Sequence, residues 1–158
     1  MDKLNYVDTA TGEIIACEVL VCTLPFSQYA YVEAITSQKQ EHFIKGLSNA
    51  LYFLGGVPKS IKTDNMRTAV VAANRYEPKF TEAMDYFGNY YGTTVLAARV
   101  RKPRDKPSVE NTVVNTYRRM YAPLRNIIFT SLEELNHALR LQLEKFNAAP
   151  FQKKEHSR

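Results

Sequence analysis

The chain has 158 residues, of which 45% are hydrophobic and 23% are charged, and its formal net charge is +5. This length suits one domain with a core large enough to fold alone. No apolar run approaches the roughly 20 residues that span a bilayer, and no basic segment precedes an apolar stretch at the N-terminus, so we expect neither a membrane span nor a signal peptide. The chain has two cysteines and no cysteine cluster that suggests a structural zinc site, and a thiol-reduced, cytoplasmic protein is the default.

The first 35 residues predict an antiparallel meander. Residues 14–24 are apolar at nearly every position, which is typical of a strand buried on both faces. A turn at residues 8–13 precedes this strand, and residues 29–35 form the next one. Residues 3–7 supply the first strand, which is about half as long as its partner.

The middle of the chain alternates helices and strands. Ser37, with Gln40 three residues later, predicts the N-cap of a helix that ends at Gly55–Gly56. A short strand at 57–64 and a less ordered stretch at 66–77 follow. A second helix is expected from about residue 79 to 91, and a fifth strand at 93–100.

Two helices complete the predicted order β-β-β-α-β-α-β-α-α. Ser108 predicts the N-cap of the third helix, which runs to about residue 121. Ser131 and Glu134 form the capping box of the fourth, which runs to about residue 147. Because the crossovers of the alternating part should be right-handed, we expect helices to cover a mixed sheet.

Two acids lie where ligands of a metal are commonly found. Asp64 comes at the carboxyl end of the fourth strand, and in open α/β sheets ligands gather beyond such ends. Glu110 lies in the first turn of the third helix, where an apolar arc meets a polar one. Each also has a structural explanation, because Asp-Asn suits a turn and the helix dipole favours an acid by about 0.3–1 kcal/mol. The helix, strand and loop between them can return the chain to the same sheet edge.

Residues 99–106 form a basic run, and two interpretations stay open. The run has five basic residues and one acid, and further arginines follow in the third helix. A solvated basic loop explains it as well as a surface that contacts a phosphate backbone. The basic residues are Arg99, Arg101, Lys102, Arg104 and Lys106.

Two stretches, GGVPKSIKTDN at 55–65 and RKPRDKPSVENTV at 101–113, resemble the catalytic core of DDE transposases and retroviral integrases. More closely, they are similar to the IstA-type transposases of bacterial insertion sequences, which use an AAA+ helper ATPase. The resemblance implies a ribonuclease-H-like α/β fold, with a mixed five-stranded sheet (an antiparallel meander plus parallel strands) flanked by helices. We expect the catalytic core at residues 1–150 and a tail at 151–158.

The resemblance also implies the chemistry and the partners. The family carries three acids that hold two divalent metal ions, and the second and third match Asp64 and Glu110. Two Mg²⁺ or Mn²⁺ ions would promote DNA strand cleavage and transfer by phosphoryl transfer. Transposon-end and target DNA, further copies of the chain and the helper ATPase are the implied partners in a bacterial cytoplasm. The residues expected to contact DNA are Arg101, Lys102, Arg104, Lys106 and Arg118.

The first acid of the family pattern has no match, because the chain lacks the Val-Asp-Phe-like setting in which that acid normally sits. We expect the first strand to be cut at its N-terminus and the acid to lie just upstream of Met1, with Asp8 as the fallback. The fragment would then bind Mg²⁺ weakly and would not cleave DNA. The alternative is a non-catalytic ribonuclease-H-like module with structural acids and a basic face that docks nucleic acid or protein.

Overall fold

A computed structural model of the chain describes residues 3–63, 70–72, 79–97 and 107–149. Contacts divide the chain into two compact units, residues 1–37 with 106–158, and residues 38–105. In the described part, no helix combines the length and hydropathy that crossing a bilayer requires. The elements are β1 (Asn5–Val7), β2 (Ile14–Ala16), β3 (Glu18–Thr23), β4 (Ala30–Ile35), α1 (Gln40–Leu54), β5 (Ser60–Thr63), β6 (Val70–Ala72), β7 (Lys79–Phe80), α2 (Glu82–Tyr91), β8 (Thr94–Ala97), α3 (Pro107–Leu124) and α4 (Leu132–Ala148).

The first unit contains the predicted meander with one difference. β1 pairs antiparallel with β2, and β3 pairs antiparallel with β4. The strand predicted at 14–24 is split at Cys17, a buried residue whose N–H donates to the Leu4 carbonyl at 2.8 Å. The split gives β2 and β3 different partners among the described residues.

Helix α4 covers the outer edge of β4 through two asparagine side chains. Asn136 accepts from the Ala34 N–H at 2.7 Å and donates to the Ala34 carbonyl at 2.9 Å. Asn147 makes the same pair of bonds with Ala30, at 2.9 and 2.8 Å. The two amides lie about three turns apart on the helix and satisfy backbone groups that a neighbouring strand would otherwise pair. Leucines of the same helix are fully buried in the core of this unit: Leu135, Leu139 and Leu143.

The predicted capping box of α4 is confirmed, with one altered partner. The Ser131 hydroxyl accepts from the Glu134 N–H at 3.1 Å. The Glu134 carboxylate accepts from the N–H and the hydroxyl of Thr130, at 2.7 and 2.9 Å, instead of from the N–H of Ser131. The Thr130 N–H, followed by its hydroxyl, lowers the pKa of Glu134 below its ordinary value.

Three predicted helix starts differ from the structure. Helix α1 begins after Lys39, which makes no side-chain cap bond, so the prediction of Ser37 as its N-cap was wrong. Helix α2 begins after Thr81, because residues 79–80 pair with β6 instead of joining the helix. Helix α3 includes Pro107, whose fixed φ suits a first helical turn, so Ser108 is inside the helix. Both predicted glycine stops are confirmed, with Gly55 and Gly92 at positive φ.

The second unit is built around a parallel strand pair. β5 pairs with β8 in register from Ser60 opposite Thr94 to Thr63 opposite Ala97. Helix α2 packs on β8, and helix α1 contacts α2. Gly88 of α2 is buried, and its carbonyl accepts from the N–H of Thr93, the residue before β8, at 2.9 Å.

Replacing Gly88 with alanine is expected to lower the free energy of unfolding by up to about 2 kcal/mol, which is the overpacking cost of about 1–3 kcal/mol less the helix gain of about 1 kcal/mol. A Cβ at this position would lie 3.0 Å from the Thr93 carbonyl oxygen and 3.3 Å from a Val95 methyl group. This overpacking should outweigh the gain of about 1 kcal/mol that alanine brings to a helix interior. Urea denaturation measures the change, and the exposed neighbour Asn89→Ala is the control. An unchanged or higher stability of Gly88→Ala would show that α2 and β8 separate at little cost.

Candidate functional site

The parallel pair β5–β8 positions the chain just before the first candidate acid. The Thr93 hydroxyl donates to the Pro58 carbonyl at 2.8 Å, and the Thr94 N–H donates to the Lys59 carbonyl at 3.0 Å. These bonds fix the two strand starts side by side, and β5 ends at the buried Thr63. Because β5 and β8 are parallel, their last residues, Thr63 and Ala97, lie at the same end of the pair.

Several predicted site residues lie outside the described residues. Segment 64–69 contains Asp64, and segment 98–106 contains four predicted DNA contacts. Their placement therefore stays a prediction. The four are Arg101, Lys102, Arg104 and Lys106.

Helix α3 carries the second candidate acid, Glu110, in its first turn. The side chains of residues 107–112 are outside those that the structure describes, so the orientation of this carboxylate stays a prediction. Farther along, Thr116, Met120 and Leu124 form the buried face of the helix, which packs against β3 and α4. The N-terminal turn of a helix favours an acid at position 110, whether or not a metal is bound.

Asp8, the fallback for the first acid, closes the turn between β1 and β2. Its Oδ1 accepts from the Ala10 N–H at 2.8 Å, and its carbonyl accepts from the Gly12 N–H at 2.7 Å. Gly12 has a φ of 73°, which a glycine adopts without strain. One carboxylate oxygen of Asp8 is thus already used by the turn, as expected from its position after the strand.

The donors that the structure describes do not by themselves form a metal site. No group of three or more His, Cys, Asp or Glu side chains close enough to hold a metal occurs among them. The side chains of Asp64 and Glu110 are not part of that set. Arg118, the fifth predicted DNA contact, is exposed on α3.

Sequence reasoning did not find the open edge of β3. The backbone N–H and carbonyl groups of Ala30 and Ala34 point toward α4, away from β3. In an antiparallel pair, the residues directly opposite such positions also point their backbone groups away from the partner strand. Thr23 and Val19, which lie opposite Ala30 and Ala34, therefore point their backbone groups away from β4. Val21 points the same way, and the described residues supply no strand on that side. All three are half-buried. The backbone groups of successive strand residues alternate in direction, so the register of β3 on β4 was the signal that could have located this edge.

The comparisons with known proteins concern transposases and integrases. No family model matches the chain. The chain is 40% identical over 141 residues to "Putative transposase y4bL/y4kJ/y4tB" of Sinorhizobium fredii, an alignment that covers 89% of this chain and 27% of that protein. It is 30% identical over 144 residues to the transposase for insertion sequence element IS21 of Pseudomonas aeruginosa, covering 91% and 35%. The chain thus spans about a quarter to a third of the length of these relatives.

Two solved structures share the fold. The catalytic core domain of BIV integrase matches 99% of this chain and 87% of its own, with a TM-score of 0.65 and 15% identity. A chain of the simian T-cell lymphotropic virus intasome, in complex with PP2A regulatory subunit B56 gamma, matches 99% of this chain and half of its own, with a TM-score of 0.67 and 16% identity. The predicted ribonuclease-H-like α/β fold is confirmed by these matches.

Proposed function

We propose that this chain, a homologue of IstA-type insertion-sequence transposases over about nine-tenths of its length, is the catalytic core of such a transposase. Its reaction would be divalent-metal-dependent cleavage and transfer of DNA strands. The observation that carries the proposal is the 40% identity over 141 residues, since those residues make up 89% of the chain. The integrase-core fold supports the same reaction class.

Asp64 and Glu110 are the proposed metal ligands. Carboxylate oxygens are the ligands that Mg²⁺ and Mn²⁺ prefer, so the donor chemistry fits. A bound metal would act as a Lewis acid on a phosphoryl oxygen and would activate the attacking water or 3′-hydroxyl. The chain itself would position the ligands, because the pairing of β5 with β8 fixes the backbone of Thr63, the residue before Asp64.

The first acid is proposed to lie on a strand that pairs with the open edge of β3. Val19, Val21 and Thr23 offer the backbone groups for such a strand, and Asp8 already serves a turn. Asp64 and Glu110 without this acid would bind metal weakly and leave DNA uncut.

Mn²⁺ binding to the chain and to two variants tests the proposal. A transposase core loses binding on Asp64→Asn and keeps it on Asp8→Asn. A non-catalytic module with structural acids shows no Mn²⁺ site in any of the three proteins. DNA ends, target DNA, further copies of the chain and a helper ATPase remain the proposed partners.

A further inference from the structure

The part of helix α3 that follows Glu110, and the loop after the helix, carry basic side chains and no acidic one. Between Asn111 and Ser131 the sequence has three arginines and no acid. All three, Arg118, Arg119 and Arg125, are exposed. Salt bridges among the described residues join Lys3 to Glu18 and His42 to Glu41, so none of these arginines has a carboxylate partner there.

Arg119 differs from the other two because it is held within its own unit. Its guanidinium carbon lies 5.9 Å from the ring centroid of Phe146, a buried residue of α4. A cation over an aromatic face is stabilised by about 0.5–1 kcal/mol at an exposed site. This arginine therefore joins α3 to α4.

Arg140 of α4 also acts inside this unit. Burial raises the pKa of Tyr31 above its ordinary value, the hydrogen bond from its hydroxyl to Glu33 raises it further, and the charge of Arg140 opposes the rise. The positive charge of Arg140 thus acts on the phenol of Tyr31 in β4. Arg140 is exposed and belongs to the same unit as Arg118 and Arg125, but it lies on α4 and acts on Tyr31.

Arg118 of α3 and Arg125, the first residue after the helix, lie on one stripe. They are seven residues apart, which is about two turns or 10 Å along the helix. Arg125 continues the helical backbone, since its N–H donates to the Tyr121 carbonyl at 2.9 Å. The stripe also contains Asn115 and Ala122, which are exposed and uncharged, while the opposite face of the helix is buried.

We propose that the Arg118–Arg125 stripe contacts the phosphate backbone of duplex DNA, whereas Arg119 and Arg140 make no such contact. The inference rests on the proposed function, which makes DNA the substrate, and it assigns one face of α3 to that partner. Two exposed guanidinium groups that have no carboxylate partner among the described residues, with small neutral neighbours on the same helix face, suit the regular charges of a phosphate backbone.

The test is the salt dependence of binding to a fluorescently labelled 30-base-pair duplex, measured by anisotropy in a KCl series. Each phosphate contact contributes about 0.9 to the slope of log affinity against log salt. Arg118→Ala and Arg125→Ala are each expected to reduce the slope by about 0.9, and the double variant by about 1.8. Arg119→Ala and Arg140→Ala remove the same charge from the same unit and should leave the slope unchanged. Arg118→Lys should also keep it, because the charge remains.

Each other result contradicts a definite part of the inference. Equal slope losses in all four alanine variants would show a general effect of net charge and would contradict the assignment of Arg118 and Arg125 as the phosphate contacts. Unchanged slopes in Arg118→Ala and Arg125→Ala, with DNA binding by the wild-type chain, would contradict the assignment of these two arginines and would not affect the proposed function. No binding by the wild-type chain at any salt concentration would overturn DNA as partner, and the inference with it. Circular dichroism melting verifies that every variant is folded.

Discussion

Replacing Asp64 with asparagine is expected to weaken Mn²⁺ binding by the chain at least about 100-fold, and Glu110→Gln should have a similar effect. Loss of an outer-shell partner alone commonly costs 10–100-fold in metal affinity, so loss of a charged ligand should reach the upper end of that range or exceed it. Both substitutions keep the side-chain shape and remove one negative charge. Isothermal titration calorimetry with Mn²⁺ measures the affinities.

Asp8→Asn is the matched control for that experiment. Its Oδ1 accepts from the Ala10 N–H, and an asparagine oxygen can do the same, so the turn should persist. Mn²⁺ affinity should therefore stay within about 2-fold of the wild-type value, an effect much smaller than that of losing a ligand. Loss of binding on Asp8→Asn with retention on Asp64→Asn would show that the fallback acid is the ligand and that the assignment of Asp64 is wrong.

Asn147→Ala is expected to lower the free energy of unfolding by about 2–6 kcal/mol. The amide of Asn147 is buried and satisfies both the N–H and the carbonyl of Ala30, a residue with no exposed surface. Truncation leaves two buried backbone groups unpaired, at about 1–3 kcal/mol each. Urea denaturation, with the slope of each transition compared, measures the loss.

Two further variants show whether that loss comes from the edge of β4. Asn136→Ala removes the equivalent bonds to Ala34 at a half-buried position, and should cost less, about 1–3 kcal/mol. Asn115→Ala, on the exposed face of α3, should stay within about 0.5 kcal/mol of the wild type. If Asn147→Ala is as stable as Asn115→Ala, α4 does not stabilise β4 through these amides.

The main elements could be predicted from the sequence because their signals are local. Apolar spacing located all four helices, and Gly55, Gly92 and the Ser131 box marked three of their ends. The wrong start of α2 has a tertiary cause. Residues 79–80 join a strand because β6 pairs with them, a contact that no local propensity contains.

The asparagine contacts of α4 could not be predicted for a similar reason. On a helical wheel, Asn136 and Asn147 flank the leucine face, where a polar residue is ordinarily solvated. Only the position of β4 makes them backbone partners. Their spacing of eleven residues, which returns to nearly the same side of the helix, was the available signal.

The candidate acids were located by motif and by their place at element ends. Whether Asp64 and Glu110 converge on one metal depends on how elements distant in sequence come together, which spacing along the chain does not fix. The structure confirms the strand that precedes Asp64 and the helix that contains Glu110. Their shared role as ligands remains a proposal.

Anomalous diffraction from crystals of the chain soaked in Mn²⁺ tests the central claim most directly. We expect a manganese peak whose ligands include carboxylate oxygens of both Asp64 and Glu110, at about the 2.0–2.2 Å typical of small divalent ions with oxygen ligands. Soaked crystals of the Asp64→Asn variant should lose the peak. A peak bound by other residues, or wild-type crystals without any manganese peak, would contradict the assignment of Asp64 and Glu110 as metal ligands.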